Sequence, residues 1–506
     1  MTSRRIPVVD LFAGPGGLGE GFSSVRGKGG NRIFDMRISI EKDQIAHQTL
    51  TLRALYRALS DSHVPDSYYD YIRGNINREQ FFAIPAIASA LQHARREAQC
   101  LELGVHNDRS DAFIRKAVDG HTDWVLIGGP PCQAYSVAGR ARRRNEDLKK
   151  FEADPKHFLY REYLRIIRDF QPSVFVMENV KGMLSSKHGG ERIFDRIMKD
   201  LSEPARGVHY DIRSFVVASR PGGLEPEDFL IRSENYGIPQ MRHRVILFGV
   251  RADRATRTHD LLTCRKMKVS LSDALAGLPS IRSRLSKEPD SHERWINVLQ
   301  AAGNSLSGWR SPARKSIEGL MAEAIVHAQR NTEFGNSFQP KGMRLSRQLP
   351  ADLATWLHDP LLGGVCQHQA RGHMRSDIHR YLFASCFAKE FGFAPKLASF
   401  PNGLLPNHKN VGSDPTPFDD RFRVQIDHSP STTVVSHIAK DGHYYIHPDP
   451  TQCRSLTVRE AARLQTFPDN YFFEGNRTQQ YHQVGNAVPP FLARQLGEVV
   501  AKFMCK

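Results

Sequence analysis

Hydrophobic residues in the first half of the chain form short apolar runs separated by amphipathic stretches. Runs that predict buried strands lie at 6–12, 36–41, 123–128, 173–178 and 245–250. Stretches with helical periodicity lie at about 17–25, 44–59 and 158–170. Because strands alternate with helices, the pattern predicts an α/β fold with a mostly parallel, doubly wound sheet.

The pattern becomes less regular after residue 250. Residues 251–452 carry short apolar clusters, scattered histidines and turn-forming Pro, Gly and Asn. Helical periodicity returns at 455–465 and after Pro489-Pro490. We therefore expect a main domain at 1–250 that is completed by 453–506, with a second, smaller and irregular domain at 251–452.

Composition narrows the class of protein. The chain has 506 residues, 40% of them hydrophobic, and a formal net charge of +16. It has seven cysteines without a C-x-x-C pair, and no apolar run approaches the roughly 18 residues of a membrane span. These features argue against disorder, an integral membrane protein, a disulfide framework and a zinc ribbon. The charge favours an anionic partner, most simply nucleic acid, with a solvated basic surface as the alternative. We expect a cytoplasmic location.

A glycine-rich loop follows the first predicted strand. Gly14, Gly16 and Gly19 fit G-x-G-x-x-G, and Glu41 ends the second strand. Glycines let the backbone approach a ligand, and the carboxylate can accept hydrogen bonds from ribose hydroxyls. The loop is typical of sites for adenosine-type ligands, NAD among them, although a tight turn without a ligand is the alternative.

A cysteine-containing loop follows the strand at 123–128. It reads Gly128-Gly-Pro-Pro-Cys132-Gln-Ala-Tyr-Ser136. Two prolines would present Cys132 rigidly at the carboxyl edge of the sheet, and a thiol beside basic side chains is poised to ionise and act as a nucleophile. A buried structural cysteine is the alternative.

Five motifs occur in a characteristic order along the chain. They are Asp10-Leu-Phe-Ala-Gly-Pro-Gly-Gly17, Pro130-Pro-Cys-Gln133, Glu178-Asn-Val180, Gln240-Met-Arg-His-Arg244 and Gln483-Val-Gly-Asn-Ala-Val488. Together they resemble the DNA cytosine-5 methyltransferases in their stand-alone bacterial form, over about residues 6–250 and 453–500. The resemblance implies a Rossmann-like methyltransferase domain that acts on a flipped-out cytosine of duplex DNA, and a target-recognition domain at 251–452.

The resemblance also implies catalytic roles. Cys132 would add to C6 of cytosine, and Glu178 would protonate or hydrogen-bond N3. Arg244 would hold O2, while Arg242 would order the cysteine loop or a nearby phosphate. Surface ion pairs and solvated charges are the alternatives for these three charged residues. No residue is identified as the base that removes the C5 proton, and water could serve.

The implied cofactor is S-adenosylmethionine, which leaves as S-adenosylhomocysteine. Phe12 and Leu159 would contact the adenine, Glu41 the ribose hydroxyls, and Asn486 the pocket floor. Ala13, Gly14 and Gly16 would border the methionine end. Asn75, in Gly74-Asn75-Ile76, stands where the family usually has Asp, and its carbonyl oxygen could still accept from the adenine amino group. Residues 78–120 look like an insertion without an assigned role.

DNA contacts are expected around the cysteine loop and in the second domain. The candidates are Gln133, Ser136, Arg140, Arg142, Arg143, Arg144 and Gln240. We expect no metal site, because the spacing of His368, His373 and His379 fits none that is familiar. The resemblance further implies a modification enzyme of a restriction-modification system, monomeric, associated with the bacterial nucleoid and not with membranes. A cognate endonuclease would act separately.

Three other functions remain open at this point. Methylation of RNA is disfavoured by the long variable region and by the absence of the Cys-Phe-Thr signature of that branch, to which Cys386-Phe-Ala388 is the nearest string. A DNA-binding protein without turnover is disfavoured by the intact Cys132 and Glu178. An NAD-dependent oxidoreductase would explain the glycine loop alone.

Overall fold

A computed structural model describes residues 5–61, 63–131, 159–188, 191–340, 344–407 and 419–505. The chain divides into two compact units. The first comprises 1–68, 78–267 and 487–506, and the second comprises 69–77 and 268–486. This partition places 453–486 in the second unit, whereas the sequence grouped those residues with the main domain. The predicted assignment of 251–452 to target recognition stays a prediction.

The strands of the described residues are numbered in chain order. They are β1 (Ile6–Leu11), β2 (Phe34–Glu41), β3 (Ala98–Cys100), β4 (Val125–Gly128), β5 (Val174–Val180), β6 (Lys187–His188), β7 (Glu191–Arg192), β8 (Tyr210–Ser214), β9 (Leu230–Arg232), β10 (Gln240–Met241), β11 (His243–Arg251), β12 (Arg284–Leu285), β13 (Gly335–Pro340), β14 (Gly364–Gln369), β15 (Gly372–His373) and β16 (Ser431–Thr432).

The helices of the described residues are numbered in the same way. They are α1 (Gly17–Ser23), α2 (Gln44–Ser60), α3 (Asp66–Arg73), α4 (Arg78–Phe82), α5 (Ala88–Glu97), α6 (Asn107–Val118), α7 (Leu159–Phe170), α8 (Ile193–Ser202), α9 (Leu271–Leu275), α10 (His292–Ala301), α11 (Arg314–Ala328), α12 (Ala351–Leu357), α13 (Arg375–Phe391), α14 (Val458–Leu464), α15 (Arg477–Asn486) and α16 (Pro490–Met504).

The first unit is built on one eight-stranded sheet. Its strand order is β3-β2-β1-β4-β5-β11-β8, and β9 also pairs with β11. The five strands from β3 to β5 are parallel, whereas β11 runs antiparallel to β5, β8 and β9. The predicted mostly parallel α/β sheet is confirmed. The parallel order brings the carboxyl ends of β1, β2, β4 and β5 to one edge, where ligands of such sheets bind.

Helices cover both faces of this sheet. On one face, Phe175 of β5 packs in a cluster with Ile114 of α6, Tyr163 of α7 and Phe194 of α8. On the other face, Phe503 of α16 meets Phe248 of β11 edge to face, at a centroid separation of 5.6 Å. The fold is therefore doubly wound, as the alternation of strands and helices predicted.

Residues 78–120, for which the sequence suggested no role, are part of this fold. They form α4, α5, β3 and α6. Strand β3 lies parallel to β2, with Ser39 opposite Ala98 and Glu41 opposite Cys100. The segment thus supplies the edge strand of the sheet and helices that pack on it.

The second unit has its own hydrophobic core and a buried set of ion pairs. Trp295 of α10, Met321 of α11 and Phe383 of α13 belong to one buried cluster. On α14, the Arg463 guanidinium donates two hydrogen bonds to Asp469, at 2.8 and 2.9 Å. A buried arginine of this kind needs such partners, because an isolated charge would lose its hydration without compensation.

No helix among the described residues is long and apolar enough to span a membrane.

Candidate functional site

The loop after β1 closes onto the end of β2. The Gly14 amide donates to Glu41 Oε2 at 2.8 Å, and the Ala13 amide donates to a carbonyl of β2 at 3.0 Å. Phe12, Gly14 and Gly16 have left-handed backbone angles, with φ of 57°, 56° and 97°. Glycine adopts this region freely, so Phe12 is the one of the three that is held there at an energetic cost. The fold brings these five predicted cofactor residues together.

Glu41 is set up to receive a polar ligand. Its Oε1 accepts a hydrogen bond from the Asp43 amide at 2.7 Å, while Oε2 is bound by Gly14. Burial raises the pKa of the half-buried Glu41 carboxyl, and the two backbone hydrogen bonds act in the opposite direction. A Cβ placed on Gly14 would meet no atom of the described residues within 4 Å, so these residues leave open space beside Gly14.

The position of the loop is fixed by close packing behind it. Helix α1 begins at Gly17 and lies against α16. A Cβ on Gly21 would lie 2.4 Å from the Cβ of Ala493, which is closer than two carbons can come. Only glycine therefore allows α1 to approach α16 to this distance.

Asp10 lies beneath the same loop and was not singled out from the sequence. The residue is completely buried on β1, and its Oδ2 lies 3.1 Å from the position that a Cβ on Gly19 would occupy. Burial raises the pKa of the Asp10 carboxyl well above its ordinary value, and Arg57 opposes that rise. A buried acid directly after an apolar run is the signal that could have identified it.

Glu178 and Arg244 form an ion pair at the carboxyl end of β5. In the antiparallel register, Glu178 lies opposite Ile246, which places Arg244 diagonally across on the same face. The Arg244 Nε lies 2.8 Å from Glu178 Oε1, and each side chain is 13% exposed. Arg244 Nη1 also donates to the His243 carbonyl at 2.9 Å, which further fixes the guanidinium. Two of the predicted catalytic residues therefore meet.

The chain that leads to the cysteine loop passes directly beside this pair. Gly129 follows β4, and a Cβ on it would lie 3.1 Å from Glu178 Oε2. Pro130 and Pro131 continue from there and are the last described residues before the loop. Oε1 is bound by Arg244, so Oε2 is the oxygen of Glu178 that borders the beginning of the cysteine loop.

The Gln240–Arg244 segment is fixed by a serine that the sequence analysis missed. Ser233 Oγ donates to the Gln240 carbonyl at 2.6 Å and accepts from the Arg242 amide at 3.0 Å. Arg242 is 2% exposed, and Gln240 has no exposed surface. We therefore assign Gln240 to the packing of this turn, in place of the predicted DNA contact. A serine shortly before the motif carries no signal that a single sequence reveals.

Three other predicted cofactor residues lie outside the glycine loop and β2. Leu159 is half-buried at the first position of α7, in the first unit. Asn486 ends α15 in the second unit. Asn75 follows α3, is exposed, and donates its side-chain amide to Asp70 Oδ1 at 3.0 Å. Asn75 belongs to the second unit, and its contact with the adenine stays a prediction.

Seven further predictions fall outside the described residues. They concern Cys132, Gln133, Ser136, Arg140, Arg142, Arg143 and Arg144.

The histidines that suggested a metal site have other partners. His368 bonds to Thr457 Oγ1 and to the Pro279 carbonyl, at 3.0 and 2.8 Å. His379 bonds to the Val298 carbonyl at 2.8 Å. These contacts hold elements of the second unit together.

A comparison with protein families matches residues 105–502 to the C-5 cytosine-specific DNA methylases. The match covers more than half of the chain. It contains the cysteine loop, Glu178, both motif arginines and Asn486.

Individual relatives agree with this match. The type II methyltransferase M.Bpa9945I of Bacillus paralicheniformis is 31% identical over 97% of this chain and 98% of its own. The type II methyltransferase M.DdeI of Desulfomicrobium norvegicum is 26% identical over 98% of this chain and 88% of its own. A crystal structure named as a DNA modification methyltransferase encoded within an E. coli prophage has a TM-score of 0.50 and 18% identity, and covers 99% of this chain and 100% of its own. The chain belongs to the family of C-5 cytosine-specific DNA methylases, which confirms the predicted enzyme class.

Proposed function

We propose that this protein transfers a methyl group from S-adenosylmethionine to carbon 5 of a cytosine in a specific sequence of duplex DNA. The observation that carries the proposal is the Glu178–Arg244 pair, 2.8 Å apart, beside the backbone that enters the Pro-Pro-Cys-Gln loop. An acid and a guanidinium that converge beside a cysteine loop match the chemistry of thiolate addition to a pyrimidine. The net charge of +16 agrees with a polyanionic substrate.

The glycine loop suits the proposed cofactor. Open space lies beside Gly14, and the Glu41 carboxylate borders it as an acceptor for ribose hydroxyls. Phe12 and Leu159 would supply apolar contacts to the adenine. The cofactor supplies an electrophilic methyl group on a sulfonium sulfur.

The residues of the chain would prepare the cytosine for that methyl group. The thiolate of Cys132 forms a bond to C6, and the π electrons of the C5–C6 bond then make C5 nucleophilic. Glu178 donates a proton or a hydrogen bond to N3, while Arg244 stabilises O2. After methylation, the C5 proton leaves to a base or to water, and its bonding electrons re-form the C5–C6 double bond as the Cys132 thiolate departs. Any proton that N3 took from Glu178 returns to that carboxylate in the same step.

This chemistry requires attack from above the ring plane, which base stacking blocks in a duplex. The target cytosine would therefore leave the helix stack. Arg242 would order the cysteine loop or a phosphate, and residues 251–452 would read the bases. The arginines at 140 and 142–144, with Gln133 and Ser136, would contact the DNA around the flipped base. The protein would act as the modification enzyme of a restriction-modification system, with a cognate endonuclease acting separately.

Bisulfite sequencing of DNA from cells that express the protein tests the proposal. We expect methylated cytosines in one short sequence context with the wild type, and none with Cys132→Ala. Methylation that persists in Cys132→Ala would overturn the proposed nucleophile. DNA binding by the purified wild type without methylation would support a binding protein that lacks turnover.

A further inference from the structure

A cavity in the first unit lies away from the Glu178–Arg244 pair. It has a volume of about 470 Å³ and is lined by all three residues of β3 together with side chains from α2, α4, α5 and α6. Strand β3 is four strands away from β5 in the sheet. At the usual spacing of strands, this separates the cavity from Glu178 by roughly 19 Å. The cavity is therefore distant from the proposed catalytic pair, although Cys100 of its lining lies opposite Glu41 in the sheet.

Positive charge dominates the lining of this cavity. Arg78, Arg95 and Arg109 line it from three different helices. None of the described residues that line the cavity is an aspartate or a glutamate. Like charges that converge in a concave surface repel one another, and an anion between them relieves that repulsion.

An aromatic ring holds two of the arginines in place. The guanidinium carbon of Arg78 lies 4.4 Å from the centroid of the Phe82 ring, and that of Arg95 lies 5.9 Å from the same centroid. Such cation–π contacts restrict the two side chains before any ligand arrives. A guanidinium that is already positioned loses less conformational entropy when it binds an oxyanion.

The cavity also has neutral polar lining residues and the volume of a small-molecule site. The side chains of Gln48 and Gln99 also line the cavity, and Gln99 is oriented by its hydrogen bond to the Arg95 carbonyl at 2.7 Å. The volume falls within the range of about 300–1,000 Å³ that is typical of small-molecule sites.

We propose that this arginine-lined cavity binds a phosphate group. Guanidinium groups recognise phosphate oxygens through paired, charge-assisted hydrogen bonds. The same chemistry is offered by the phosphate of a small nucleotide and by the backbone of a DNA strand, and the experiment below distinguishes these two sources. The DNA source rests on the proposed function, whereas the small-phosphate source does not.

The test compares two double variants of equal charge. Arg95→Ala/Arg109→Ala removes two guanidiniums from the cavity, at side chains that are exposed. Arg96→Ala/Lys116→Ala removes two exposed charges from the same two helices, outside the cavity. Each purified protein is titrated with inorganic pyrophosphate by calorimetry, and with a labelled 30-base-pair duplex by fluorescence anisotropy at several salt concentrations.

A small-phosphate site predicts that pyrophosphate binding weakens about tenfold or more in the cavity variant and stays within about twofold in the control. A DNA site predicts weaker duplex binding in the cavity variant than in the control, with the slope of log K against log salt reduced by about 2. Equal behaviour of the two variants with both probes would overturn the proposal. A wild type that binds neither pyrophosphate nor the duplex more tightly than the cavity variant does would also overturn it.

Methylation by the same proteins separates this proposal from the function above. We expect methyl transfer at saturating DNA to be unchanged in both variants, because neither pair lies in the proposed catalytic site. A wild type that neither binds nor methylates DNA would contradict the proposed function, while the pyrophosphate titration would still decide the cavity.

Discussion

Two arginine–glutamate pairs, one in each compact unit, have nearly the same geometry and opposite surroundings. In the first unit, Arg244 Nε lies 2.8 Å from Glu178, and each side chain is 13% exposed. In the second unit, Arg454 Nη1 lies 2.7 Å from Glu460, and these side chains are 1% and 2% exposed. Distance alone does not separate a structural ion pair from one that can meet a substrate.

The hydrogen-bond partners of the two glutamates distinguish the two pairs. Both oxygens of Glu460 accept hydrogen bonds from Arg454, and Oε2 also accepts one from the Thr457 amide at 2.7 Å. Among the described residues, Arg244 is the side chain paired with Glu178, and Oε2 borders Gly129. Glu460 is therefore held by its own unit through three hydrogen bonds, whereas Glu178 has one oxygen beside the start of the cysteine loop, where it can meet a ligand.

The largest effect should come from removing the acid of the first pair. Glu178→Gln keeps the shape of the side chain but cannot deliver a proton to N3. We expect the methyl-transfer rate to fall by about 10²–10⁴-fold, since that is the usual contribution of a general acid. The unfolding free energy should fall by only about 1–2 kcal/mol. A single-turnover assay with radiolabelled cofactor and urea titration measure the two quantities, and an unchanged rate would contradict the assigned role.

Removing the acid of the second pair should lower the stability of the fold and leave the methyl-transfer rate unchanged. Glu460→Gln leaves the Arg454 charge buried without its counter-ion, which should cost about 3–5 kcal/mol in urea unfolding. The methyl-transfer rate per folded molecule should stay unchanged. Glu498→Gln, in an exposed pair with Arg494 at 3.1 Å, is the control and should cost less than about 1 kcal/mol. Equal costs for the two variants would mean that burial does not distinguish these pairs.

Sequence analysis predicted the elements whose patterns are long or strongly apolar. The runs that become β1, β2, β4, β5 and β11 were recognised, and so was α2. Strand β3 was missed because its three residues, Ala-Gln-Cys, are short and mixed in polarity. The place of residues 98–100 at the edge of the sheet was therefore not predicted.

The candidate site was predictable where motifs carry it. The pairing of Glu178 with Arg244 follows from two motifs that occupy neighbouring strands. The contribution of Ser233 and the burial of Gln240 depend on how a turn folds back, and periodicity does not encode this. The cavity around Phe82 arises from four helices and one strand, so no contiguous motif could indicate it.

Acid should weaken the fold through histidines of the second unit. Burial lowers the pKa of His368 to about 4 and that of His447 to about 4, from 6.5. The unfolded chain therefore takes up these protons first as pH falls below 6.5, and stability decreases from there down to about pH 4. Between pH 7.5 and 5.5 each histidine should cost about 1.4 kcal/mol. Urea midpoints of wild type and His368→Gln at both pH values measure this, and an equal pH dependence in the two would contradict it.

The smallest effect should come from a substitution of Gly129, which lies beside Glu178 Oε2. Gly129→Ala places a methyl group 3.1 Å from Glu178 Oε2, so the carboxylate must shift by a few tenths of an ångström. We expect the methyl-transfer rate to fall about fivefold, a modest penalty for slight misplacement. Gly319→Ala on α11, where a Cβ would meet no atom of the part of the chain that the structure describes within 4 Å, is the control. Equal rates in the two variants would mean that this oxygen is not constrained by the loop.

Covalent capture tests the central claim most directly. Duplexes that carry 5-fluorocytosine at the target found by bisulfite sequencing are incubated with the protein and S-adenosylmethionine, then resolved under denaturing conditions. The wild type should form a stable protein–DNA adduct that depends on the cofactor, because fluorine cannot leave C5 as a proton does, and Cys132→Ala should form none. An adduct with Cys132→Ala, or a wild type that methylates this target but never yields an adduct, would contradict the account.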